Sequence, residues 1–172
     1  MTALLVEFLA RKRVTLGFVT TVAALLLAQP TWVTWRMGLL TALVGEAVRM
    51  WAAGHLEKGR EVTSSGPYRW VAHPLYVGSS IIALGVVIAA RSVVVGVLAT
   101  IYMGSTIAAA ILTEEAFLRE RFGDQYDRYR QSGGPTERRF SFDRAMQNRE
   151  YRAALGLVVG FALLALKVAL SI

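Results

Sequence analysis

Residues 75–113 read LYVGSSIIALGVVIAARSVVVGVLATIYMGSTIAAAILT. The stretch holds a single charge, Arg91, placed beside Ser92 near its middle. An α-helix needs about 20 residues to cross the hydrocarbon of a bilayer, and shorter apolar runs are accommodated by flanking residues or local thinning. A connection as short as Arg91-Ser92 joins neighbouring antiparallel helices. The stretch therefore predicts a helical hairpin whose two arms, 75–90 and 92–113, both lie in a membrane.

Three more apolar segments extend this pattern. Residues 14–29 carry no charge and stop at Gln29-Pro30; 32–53 contain Arg36, Glu46 and Arg49; 153–172 contain only Lys167. Pro30-Thr31 is a second tight connection and predicts a second hairpin. The whole 172-residue chain is 55% hydrophobic and 18% charged, with a net charge of +7 and a mean hydropathy of +0.45. That apolar fraction excludes intrinsic disorder and exceeds what one small soluble core hides. The absence of cysteine excludes a disulfide framework, a thiolate metal site and a thiol nucleophile.

The cations orient the spans. With the N-terminus inside, all of them except Arg36, Arg91 and Lys167 fall on the cytoplasmic side, from Arg11-Lys12-Arg13 through Arg152. The expected fold is all-α: one domain, 1–172, an integral-membrane bundle of five helices at about 14–29, 32–53, 75–90, 92–113 and 153–172. Such a protein belongs in the bacterial cytoplasmic membrane, or in an ER-type membrane if the source is eukaryotic. Most of the cations suit anionic lipid headgroups. Nucleic acid is not an expected partner, and an oligomer stays open.

Two segments are too polar to span. Residues 55–73 are rich in Gly, Ser and Pro and read as a loop. Residues 114–131 carry Glu115, Leu118, Phe122, Tyr126 and Tyr129 at helical spacing, with Gly123 as a break. Chemistry-bearing residues gather at their edges. Glu46 and Arg49, three apart within a span, are a functional site or a structural pair, and Arg49 is equally suited to snorkelling. His73-Pro74 starts a helix with Tyr76 nearby, which aims an imidazole and a phenol at the mouth of the bundle, or simply forms an aromatic belt with a helix-start proline. Glu114-Glu115 stand where a span ends, or merely balance Arg119 and Arg121. There is no P-loop, no H-E-x-x-H and no Rossmann glycine pattern.

Three blocks in order resemble the isoprenylcysteine carboxyl methyltransferase and phospholipid methyltransferase superfamily. They are Arg49-Met-Trp-Ala-Ala-Gly-His-Leu-Glu-Lys58; Val62-Thr63-Ser64-Ser65-Gly66-Pro67-Tyr68 with His73-Pro74-Leu75-Tyr76-Val77-Gly78; and Glu114-Glu115-Ala116-Phe117-Leu118 with Phe122-Gly123 and Tyr126 through Tyr129. The resemblance implies an integral-membrane enzyme that uses S-adenosylmethionine, releases S-adenosylhomocysteine, and takes a lipophilic acceptor from the bilayer. It implies a cofactor pocket with Val62 and Thr63 at the adenine, Gly66 and Tyr68 in the wall, and Lys58 and Tyr126 alongside. His73, Tyr76 and one of Glu114 and Glu115 would hold the aminoacyl end, under a cap of Phe122, Tyr126 and Tyr129. Arg49 and Glu115 match the positions that orient the acceptor. The chain departs from the family at Ala72, where Arg is common. Two other classes stand beside this one: an NADPH-dependent membrane reductase, with Lys58, Arg60 and Arg69 as phosphate ligands, and a non-enzymatic membrane interaction protein.

Overall fold

A computed structural model of the chain describes residues 3–124, 126, 127 and 138–170. Every regular element among them is helical: α1 (Ala3–Leu27), α2 (Trp32–Ala53), α3 (Pro74–Ala90), α4 (Val93–Phe122), α5 (Phe142–Gln147) and α6 (Tyr151–Leu170), with a short 3-10 turn at Gly66–Arg69.

Local chemistry sets the ends. Thr31 opens α2 with a reciprocal cap: the Thr34 N–H donates to Thr31 Oγ1 at 3.2 Å and the Thr31 N–H to Thr34 Oγ1 at 3.0 Å. Pro74 fits the first turn of α3, where a helix needs no N–H. Arg91 ends that helix in the left-handed region at φ 49°, and Ser92 caps α4 at once. Lys167 donates from α6 to the carbonyls of Leu25 and Leu26, at 2.9 Å each, and so covers the free end of α1.

The helices joined by the two tightest connections are not the principal packing partners. α2 packs most extensively on α3, and α1 on α4; α3 and α4 still touch beside their tight connection, whereas the expected α1–α2 pairing is not among the principal contacts. The reason is a stripe of small residues. A Cβ on Gly45 would lie 2.7 Å from the Gly78 carbonyl, and one on Gly78 would lie 2.7 Å from the Gly45 carbonyl. Gly38 and Gly85 face each other one layer further along. Glycines at these points let the two backbones touch, the arrangement that holds membrane helices together. α6 lies against α2, where the Trp35 indole N–H donates to the Phe161 carbonyl at 2.8 Å. The core at this end joins Ala42, Ala89, Ala90, Val95, Phe161 and Leu164.

Among the described residues two helices, α4 and α6, are long and apolar enough to cross a membrane by length and composition, against the five expected. The apolar part of α1 (Val14–Leu27) and all of α3 fall short of that length, and α2 is interrupted by Arg36, Glu46 and Arg49. Both qualifying helices leave most of their apolar surface outside the bundle, unlike the core helix of a soluble protein: Val97 and Ile101 on α4 and Leu155 and Val158 on α6 are exposed. Two boundaries also differ from expectation. α1 continues helically back through residues 11–13. The end of the span expected at 113 is passed without a break: α4 continues through Glu114 and Glu115 to Phe122, where Gly123 stops it at φ 46°.

Candidate functional site

The loop after α2, the start of α3 and the second half of α4 enclose a cavity of about 410 Å³. Its first wall is folded by short-range contacts. The Glu57 N–H donates to Thr63 Oγ1 at 3.2 Å and closes the loop into a ring. Gly66 turns the chain at φ 58°, where a Cβ would also strike the His55 ring at 2.7 Å. Both the conformation and the space require glycine there. The turn that follows buries Tyr68.

His73 precedes Pro74 and stands at the start of α3 without capping it. Its ring faces two carboxylates on α4: Nδ1 lies 3.7 Å from Glu114 Oε2, and Nε2 lies 3.4 Å from Glu115 Oε1. The Tyr76 hydroxyl donates to Glu114 Oε2 at 3.0 Å, and the Tyr76 ring sits 5.7 Å from the His73 ring, centroid to centroid. Hydrogen bonding to Glu114, opposed by burial and reinforced by Glu115, raises the His73 imidazole above its ordinary value and favours imidazolium. Burial pushes the Glu114 carboxyl up, but the bonds from His73 and Tyr76 and the charges of His73 and Lys58 outweigh it and hold Glu114 below the usual range. The cavity thus sets an imidazole biased toward its cationic form beside a carboxylate biased toward its anionic form.

Lys58, Val62, Thr63 and Tyr68 from the loop, His73 and Tyr76 from α3, Glu114 from α4, and Tyr126 all line this cavity, as does Ala72. Gly66 does not; it borders a separate hollow with His55 and Trp70. Glu115 stands behind His73 and is also held by Arg119, 3.7 Å away. Arg49 is likewise outside the lining. Its Nε and Nη2 grip both oxygens of Glu150 at 2.6 and 3.1 Å, and its Nη1 donates to Ser79 and to the carbonyl of Leu75, a lining residue, at 3.4 Å.

Of the readings open for Glu46 and Arg49, the structural pair between them is not made. Both Glu46 oxygens are buried without a hydrogen-bond partner among the described residues, because Glu150 has taken the guanidinium. In the cap, Phe117 and Leu118 line the cavity with Tyr126, whereas Phe122 does not, and Tyr129 lies outside the described residues. Sequence reasoning missed the lining residues Thr106, Ala110, Thr113 and Phe117, although they share one face of α4 at helical spacing with Glu114. It also missed Glu57 and Glu61, for which the turn-rich loop gives no periodic signal.

Residues 13–125 match the sequence profile of the phospholipid methyltransferase family. The chain is 34% identical over 86 residues to the protein-S-isoprenylcysteine O-methyltransferase of Schizosaccharomyces pombe, covering 50% of this chain and 36% of that protein. It is 30% identical over 112 residues to a probable protein-S-isoprenylcysteine O-methyltransferase of Oryza sativa subsp. indica, covering 58% of this chain and 59% of that one. The chain therefore spans between about a third and three fifths of the length of these relatives. No solved structure matches it significantly.

Proposed function

Because the chain belongs to the phospholipid methyltransferase family, we propose that it transfers a methyl group from S-adenosylmethionine to a lipid-like or isoprenoid-like acceptor, with the cofactor held in the 410 Å³ cavity. One observation carries the choice of cofactor: the sign of the lining. Three carboxylates, Glu57, Glu61 and Glu114, and three phenols, Tyr68, Tyr76 and Tyr126, face the cavity, against Lys58 and His73. An acidic, aromatic hollow suits a sulfonium cation, which phenol rings attract by their negative faces. It does not suit the pyrophosphate of a nicotinamide dinucleotide. Of the cations a reductase would need, Arg60 is exposed and Arg69 borders the other hollow, which leaves Lys58.

When bound, the sulfonium supplies an electrophilic methyl carbon: the acceptor's heteroatom bonds to it while the carbon–sulfur bond breaks and leaves its electron pair on sulfur, giving S-adenosylhomocysteine. The protein's part is to place and exclude. The His73 imidazolium and the Glu114 carboxylate, 3.7 Å apart, match the carboxylate and the ammonium of an aminoacyl end. Val62 and Thr63, buried in the loop, take the adenine through their backbone. Lys58 and Tyr126 complete the cofactor wall, and Gly66 acts through the turn that presents Tyr68. Glu115 acts as a positioning residue through His73, and Arg49 through the Leu75 carbonyl, near the end where the acceptor is oriented. A reaction of this kind needs an in-line approach more than an acid or base, so positioning supplies most of the rate.

In this proposal the bundle crosses the membrane five times with the N-terminus inside. The cavity then opens to the cytoplasm and the acceptor enters from the bilayer. The test is binding to the purified protein by thermal shift. S-adenosylhomocysteine is expected to raise the unfolding midpoint and NADPH to leave it unchanged; stabilisation by NADPH alone overturns the methyltransferase assignment.

A further inference from the structure

Residues 138–150 lie beyond the stretch that matches the family, yet they hold one wall of the cavity. This strap first takes up the carbonyls left free at the end of α2. The Ser141 N–H donates to the Gly54 carbonyl at 3.1 Å, and Arg144 Nη1 donates to the same oxygen at 2.5 Å. Asn148 Nδ2 donates to the carbonyls of Ala53 and Leu56, at 2.9 Å each. The strap then reaches two carboxylates of the cavity lining. Arg144 Nε donates to Glu57 Oε1 at 2.9 Å, with Arg138 Nη1 3.6 Å from the same oxygen. Arg138 Nη2 lies 2.8 Å from Glu61 Oε1.

Among the described residues, Glu57 is therefore hydrogen-bonded through one carboxylate oxygen. Among the described residues its Oε2 faces one cation, Arg60 Nη1, at 3.9 Å, and that side chain is 85% exposed. A surface pair of this length is screened by water and contributes little. A carboxylate gripped through one oxygen by a planar guanidinium has its rotamer already chosen, and the free lone pairs of the other oxygen remain for a ligand. The backbone places it well: the Glu57 N–H donates to Thr63, part of the loop wall assigned above to the adenine. The group attached to an adenine in any adenosyl ligand is a ribose, whose vicinal hydroxyls are two donors that one carboxylate accepts together.

We propose that Glu57 accepts the ribose hydroxyls of the nucleoside bound in this cavity, and that Arg144 and Arg138 are positioning residues that hold its carboxylate for that contact. This rests on the cofactor assignment made above. It also gives the C-terminal strap a function, since without it the loop acid has no fixed direction.

The test is titration calorimetry of the full-length protein in detergent with S-adenosylhomocysteine and with its 2′-deoxy and 3′-deoxy analogues. A hydrogen bond to a charged group corresponds to about 10- to 100-fold in affinity, so the wild type is expected to bind each deoxy analogue more weakly by a factor in that range. Glu57→Ala is expected to weaken S-adenosylhomocysteine by a similar factor and to bring the ratio between parent and analogues close to one. Arg144→Gln is expected to lower the same ratio part of the way, which a merely structural residue would not do. If Arg144→Gln fails to fold, Glu57→Ala decides alone. A wild type that binds S-adenosylhomocysteine without discriminating against the analogues, or a Glu57→Ala variant that discriminates as the wild type does, overturns the ribose contact and leaves the cofactor assignment standing. A wild type that binds neither the parent nor the analogues overturns both.

Discussion

Breaking the Arg49–Glu150 pair from either side is expected to cost about 3–5 kcal/mol of stability, the cost of leaving one member of a buried ion pair without its partner. The pair is bidentate, and Glu150 is only 4% exposed while Arg49 is 20% exposed, so water replaces little of what is lost. It also joins three helices. Arg49 belongs to α2, its Nη1 reaches Ser79 and Leu75 on α3, and Glu150 sits at the start of α6. Unfolding in detergent should therefore show a large fall in midpoint for Arg49→Ala and for Glu150→Ala. The double variant Arg49→Met/Glu150→Leu should recover most of it, because an apolar pair of similar volume carries no desolvation penalty. Below its unfolding range Arg49→Ala is expected to keep cofactor binding and to lose transfer. Midpoints equal to the wild type in both single variants would show that the pair contributes nothing.

His73→Ala is expected to weaken S-adenosylhomocysteine by about 10- to 100-fold, the equivalent of one charge-assisted hydrogen bond, with little change in fold. The same residue controls the pH response. Its imidazole is raised above the ordinary 6.5 by Glu114 and Glu115. The stability it contributes is thus complete below 6.5 and fades as pH rises through the raised value. Glu114 is held below its ordinary 4.5, so its contribution is complete above that value and fades as pH falls through the lowered one. The cluster is firmest between these two limits. His73→Gln should remove the alkaline slope of a stability-against-pH curve and leave the acid slope reduced. An unchanged alkaline slope would take His73 out of the cluster's electrostatics, and unchanged affinity in His73→Ala would take it out of the pocket.

The sequence reveals composition and local pattern, and its limits lie where distant parts of the chain meet. The apolar runs on either side of Arg91 announce helices, and the structure has them at Pro74–Ala90 and Val93–Phe122. Their pairing is another matter. Short connections suggested hairpins, but Gly38, Gly45, Gly78 and Gly85 let α2 and α3 approach more closely than side chains of any size would allow. The residues of the cavity were legible where they sit in dense local motifs. Tyr68 directly after the Gly66-Pro67 turn, then His73, Leu75 and Tyr76, put phenol and imidazole within a few positions, and Glu114 supplies their counter-charge. Arg49 was visible as a cation in a helix, but its partner lies 101 positions away, in a polar segment with no periodicity. Glu57 and its arginines are separated in the same way, 87 positions in the case of Arg144.

Methyl transfer to a lipid-like acceptor can be followed with labelled S-adenosylmethionine. The purified protein is incubated with a total lipid extract of its source membranes, and label is counted in the organic phase. Label is expected in lipid-soluble product with the wild type, and is expected to be lost with His73→Ala and with Arg49→Ala assayed below its unfolding range. Label no higher than in a protein-free control, from a wild type that binds S-adenosylhomocysteine, would contradict methyl transfer to such an acceptor.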